Sequence, residues 1–143
     1  MRRLTLLGHP LHPPLVHFPM ALLPVSFAAR AWDLFIGSPA AASLAMMTLS
    51  LGLIIAVPAM IAGFLDYLSI SSGHSGERAA QLHLGVMAAA ITAYFAAWLL
   101  GRQSPQSGAM WASFACSGLG TVALLAGGWL GGHMVYRHGV GQG

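Results

Sequence analysis

Seven histidines outnumber the three acidic residues of this 143-residue chain, and lysine is absent. The histidines are unevenly placed. His9, His12 and His17 lead into the first long apolar stretch, His74 and His83 bracket the start of the third, and His133 and His138 close the fourth. Imidazole nitrogen ligates haem iron and, alongside other donors, copper, zinc or non-haem iron. Asp66, in Gly63-Phe64-Leu65-Asp66-Tyr67, ends an apolar run. A carboxylate within a bilayer is costly, so Asp66 needs a partner such as a histidinium, an arginine or the N–H of a ligated imidazole. Other chemistries are excluded. Three acids leave little for paired-carboxylate catalysis. There is no P-loop, dinucleotide fingerprint, nucleophile elbow or His-Glu-x-x-His helix. Cys116 is the single cysteine, so an intrachain disulfide, a thiolate iron–sulfur cluster and a Cys-based zinc site are out.

The elements that must position these histidines are membrane-spanning. Apolar residues make up 57% of the chain and charged residues 6%, with a mean hydropathy of +0.73. A soluble domain of this size needs far more surface charge. A transmembrane helix takes about 20 apolar residues to cross ~30 Å of hydrocarbon. Four such spans use up almost the whole chain, which predicts a single domain over 1–143. The expected spans are 14–36, 40–70, 77–101 and 109–136, with Pro13 and Pro14 at the first helix start and Pro19, Pro24 and Pro58 inside helices. Turn residues Gly37-Ser38-Pro39, Ser71 to Gly76 and Gln103 to Gly108 separate them. A His/Pro-rich stretch from Gly8 to Pro19 does not belong before a signal-peptide apolar core, so a first span is expected there rather than a cleaved leader.

Short connections force neighbouring spans antiparallel, giving an all-α membrane protein with an up-down-up-down bundle and both termini on one side. Arg2, Arg3, Arg78 and Arg137 fall on the terminal side and Arg30 and Arg102 on the other, which predicts cytoplasmic termini. Arg30 and Asp33, three apart, should pair near the far interface. The arginines form no basic stripe for nucleic acid.

On that topology all seven histidines fall in one layer on the terminal side, joined by Asp66 from the second span. Interfacial histidines sit comfortably near headgroups without a cofactor, but the opposite interface has none at all. In a four-helix bundle the first and third spans are diagonal, so His17 and His83 form the expected bis-histidine pair for a haem. A second pair would join His138 or His133 to His9 or His12. His133 and His138 differ by about 140° around a regular helix and should not aim at the same iron. Gly127, Gly131, Gly128 and Gly132 give the fourth span a face for helix packing or for a flat ligand. The methionines are read as core packing.

The segment Gly8-His9-Pro10-Leu11-His12-Pro13-Pro14-Leu15-Val16-His17-Phe18-Pro19 and the ending Gly131-Gly132-His133-Met134-Val135-Tyr136-Arg137-His138-Gly139-Val140-Gly141 resemble the bacterial membrane proteins called domain of unknown function 2231. The resemblance spans the whole chain. It implies a shared pattern at His9, His12, His17, Asp66, His83 and His138, with His74 and His133 outside it. Some members are joined to Rieske-type domains, which implies an electron-transfer setting. The leading expectation is a bacterial inner-membrane protein holding one or two b-type haems, with His17 and His83 as first axial pair and His138 with His9 or His12 as the second. It would exchange electrons with quinone or a redox protein. Two alternatives stay open: a non-haem copper, iron or zinc site of the same histidines with Asp66, and an accessory subunit of a larger complex or homo-oligomer.

Overall fold

The computed structural model describes residues 5, 6, 8–103 and 108–140. Arg2, Arg3, residues 104–107 of the expected turn and residues 141–143 of the tail lie outside them. Four helices follow a short antiparallel ladder of β1 (Thr5–Leu6) and β2 (His9–Pro10), which turns at Gly8 with φ 82°. The helices are α1 (His12–Ile36), α2 (Pro39–Leu68), α3 (Glu77–Gly101) and α4 (Ala109–His138). All four are long and apolar enough to cross a membrane, with segments of mean hydropathy between 1.2 and 2.2. The protein is an all-α membrane protein.

Local chemistry sets the helix ends. α1 starts at His12, earlier than the prolines suggest, because a proline in the first turn lacks only an N–H that has no helical partner. Gly37 ends it in the left-handed conformation at φ 73°, donating its N–H to the Asp33 carbonyl at 2.8 Å. Ser38 then caps α2, its Oγ accepting the Ala41 N–H at 3.3 Å with Pro39 next. α4 runs past Tyr136 to His138 and stops at Gly139, whose φ of 63° suits glycine.

Packing divides the bundle into two hairpins, α1 on α2 and α3 on α4, which meet more thinly through α1 with α4 and α2 with α3. α1 and α3 barely touch across the bundle. Small residues let the helices of each hairpin come close, the usual basis of association where lipid removes the hydrophobic drive. A Cβ on Gly52 would lie 2.7 Å from the Leu23 side chain, and one on Gly120 2.8 Å from the Tyr94 ring. Leu23 and Tyr94 are both 0% exposed and anchor a core with Leu49, Ala90, Ala97 and Leu124.

The two hairpins repeat one plan. α1 and α3 each have 25 residues, and α2 and α4 each have 30. Buried Pro19, Leu23 and Ser26 are spaced as buried Ala90, Tyr94 and Ala97 are. In the partner helices Ala45, Leu49, Gly52, Ala56 and Ala59 are matched by Ser113, Ser117, Gly120, Leu124 and Gly127. Arg30 is 4% exposed, donates to Asp33 at 3.1 Å as expected, and lies beside Gly101, the matching position of α3.

Candidate functional site

The repeat places one histidine at the start of each hairpin. His12 opens α1 and its Nδ1 lies 2.9 Å from the Ala59 carbonyl oxygen of α2. His83, in the second turn of α3, sets its Nδ1 2.8 Å from the Gly127 carbonyl oxygen of α4. A carbonyl oxygen only accepts, so Nδ1 carries the proton in both rings and the Nε2 lone pair of each neutral imidazole is left for another partner. Glycine makes both contacts feasible. One helical turn after each accepting carbonyl stands Gly63 or Gly131, where a Cβ would come 2.7 Å from His12 Cε1 and 3.3 Å from His83 Cε1. His12 and Leu23 are spaced as His83 and Tyr94 are, and Gly52 and Gly63 as Gly120 and Gly131 are.

The other histidines sit elsewhere. His17 is exposed and its Nδ1 meets the Pro13 carbonyl of its own helix at 2.6 Å. His9 is exposed on β2. His74 caps a turn, its Nδ1 accepting the Gly76 N–H at 3.0 Å. His138 reaches Ser75 Oγ at 3.4 Å and meets the His133 ring edge-on at 5.5 Å, while His133 stacks on Trp129. The rings of His133 and His138 thus meet edge to face despite their angular separation on the helix. Asp66 lies on the α2 face that carries Ala59 and Gly63. Its Oδ1 is the one buried side-chain oxygen or nitrogen without a hydrogen-bond partner among the described residues. The same residues hold no group of three His, Cys, Asp or Glu side chains arranged for a metal ion.

A family model described as a predicted membrane protein, DUF2231, matches residues 8–143. The chain belongs to that family. Comparison with curated proteins and with solved structures gives no match. The family description agrees with the four spans and names no activity.

In this DUF2231 chain the glycine-rich face of α4 receives side chains from its neighbours. Gly127 takes Met87, Gly128 takes Met20 at 3.0 Å from the position of an added Cβ, and Gly131 takes His83. Gly132 has nothing within 4 Å of that position. Sequence reasoning paired His17 with His83 and kept His12 for a second pair; in the structure it is His12 whose contact with a neighbouring helix mirrors that of His83. The signal for His12 was the equal spacing of His12 to Leu23 and His83 to Tyr94, which is visible only once the two hairpins are aligned.

Proposed function

We propose that the chain is a membrane electron-transfer protein that binds b-type haem between its hairpins, with His12 and His83 as axial ligands. The observation that carries this reading is the matched pair of imidazoles, each donating Nδ1–H to a backbone carbonyl and each keeping Nε2 available. Metal-ligating histidines are oriented by this kind of second hydrogen bond, which also raises the basicity of the ligating nitrogen. Two protein ligands suffice only where the cofactor supplies the rest, as a macrocycle does, and no larger donor cluster exists among the described residues. Asp66, with a buried oxygen lacking a partner, stands on the α2 face that carries Ala59 and Gly63, the residues His12 meets, and offers charge balance there. Met20 and Met87, which fill the space over Gly128 and Gly127, are flexible side chains able to repack around a flat ligand.

The haem supplies a one-electron couple when bound. The chain's part is to hold and orient two imidazoles and to surround them with lipid-embedded helices. The reading takes the bacterial inner membrane as its setting, cytoplasmic termini from the arginine distribution, and quinone or a redox protein as the exchange partner. Absorption spectra of the purified protein, oxidised and reduced, test it. A Soret band with sharp reduced α-bands is expected, and His12→Ala and His83→Ala should each abolish or convert the low-spin signal while His17→Ala and His74→Ala preserve it. Full low-spin spectra in both His12→Ala and His83→Ala would sink the assignment.

A further inference from the structure

Outside the histidine pair, the last turns of α4 form an open groove of about 570 Å³ lined by Trp129, Gly132, His133, Tyr136 and Arg137. Trp129 is 69% and Tyr136 88% exposed, and the Trp129 and His133 rings stack 5.4 Å apart to make one wall. Gly132 leaves the helix backbone open to approach. Below the groove, exposed Val122, Leu125 and Trp129 continue along one face of the helix. From Val122 to Tyr136 that stripe is about 21 Å long at ~1.5 Å per residue, the scale of an acyl chain lying against a span.

We propose that this groove is a headgroup site for an anionic phospholipid, with the phosphate held by Arg137 and the acyl chain laid along the Val122–Leu125–Trp129 stripe. Charge complementarity decides for an anionic over a zwitterionic lipid. None of the groove residues is acidic, and among the described residues the salt bridge is Arg30 with Asp33 at the other end of the bundle, so no described residue gives Arg137 a carboxylate partner. A choline or ethanolamine ammonium would meet no carboxylate there, only the weak partial charge of the helix end and the aromatic faces. Guanidinium matches phosphate oxygens in a bidentate fork, and Trp and Tyr are the side chains that settle at the headgroup level. The C-terminal end of a helix carries partial negative charge, which repels a phosphate. Arg137 is therefore the residue on which an anion site here depends.

The test uses the full chain, delipidated in neutral detergent, with added phosphatidylglycerol or phosphatidylcholine and bound lipid counted by native mass spectrometry. Phosphatidylglycerol should bind better, and Arg137→Gln should cut that preference about fivefold, the factor equivalent to ~1 kcal/mol for one arginine near a charged lipid surface. Arg78→Gln, on an exposed site of α3, should leave the preference intact. Equal retention of both lipids, or an unchanged preference in Arg137→Gln, would overturn the site. Competition by soluble glycerol phosphate as effective as by phosphatidylglycerol would also overturn it, since the acyl stripe would then contribute nothing.

Discussion

In the α1–α2 hairpin the buried side chain over the close-contact glycine is Leu23 on Gly52; in the α3–α4 hairpin it is Tyr94 on Gly120. The glycines correspond while the side chains above them do not. Interhelix distance in each hairpin is therefore fixed by the missing Cβ, and the neighbour that fills the space is negotiable within a given depth. The same holds at the histidine end, where Gly63 under His12 answers to Gly131 under His83. The hairpins part company in their polar equipment. Asp66 stands three residues after Gly63, whereas Met134 stands three after Gly131. α1 carries Pro19 and Pro24 inside the helix, and α3 carries none. Only Tyr94 adds a hydrogen bond, its hydroxyl lying 2.7 Å from Thr121 Oγ1.

The sharpest way to break the equivalence is to add a methyl group at each close-contact glycine. Gly120→Ala drives its Cβ into the rigid Tyr94 ring and should destabilise the protein by about 1–3 kcal/mol, the usual cost of overpacking. Gly52→Ala meets the flexible Leu23 and should cost less than half as much. Unfolding in mixed detergent micelles would measure both, and equal losses would mean that side-chain stiffness does not distinguish the hairpins.

A second comparison concerns the imidazoles. Gly63→Ala places a Cβ 2.7 Å from His12 Cε1 and must displace the ring, whereas Gly131→Ala comes only to 3.3 Å from His83. Haem occupancy after reconstitution should fall severalfold in the first variant and little in the second. The opposite order would show that the His12 ring sits more loosely than its contact with Ala59 indicates.

The smallest expected effect belongs to Asp66→Asn. This near-isosteric change should move stability by less than about 1 kcal/mol, in the range of substitutions that create no cavity. The haem spectrum or occupancy should still shift, because a carboxylate can balance or orient a ligating imidazole and an amide does so poorly. An unaltered spectrum at full stoichiometry would assign Asp66 to helix packing.

The four spans were legible because apolar length is a one-dimensional property, and the Arg30–Asp33 pair because three residues along a helix bring side chains together. The close helix contacts of α4 were legible in its glycines. The likeness of His12 to His83 was not. Depth along the bilayer put His17 level with His83, but which face of a helix looks into the bundle is set by packing, and His17 is exposed with its Nδ1 on the Pro13 carbonyl of its own helix. The contacts that lock the rings, His12 to Ala59 and His83 to Gly127, are tertiary and join residues far apart in the chain. The hairpin repeat was hidden for a related reason. Its matched positions share depth and size class more than identity, as Pro19 with Ala90 and Ser26 with Ala97 show.

Arg30 and Gly101 hold matching places in α1 and α3, one four residues after buried Ser26 and the other four after buried Ala97, and the guanidinium lies against that glycine. Had the bundle been assembled from two identical hairpins, any residue at this position would have met its own copy, and two guanidiniums would have shared one enclosed space with like charges opposed. Carrying both hairpins on a single polypeptide removes that obligation. Each half inherits its own substitutions, so one can supply the cation and the other the vacancy that admits it. Covalent linkage thus lets this fold place a single arginine where two matching helix positions face each other.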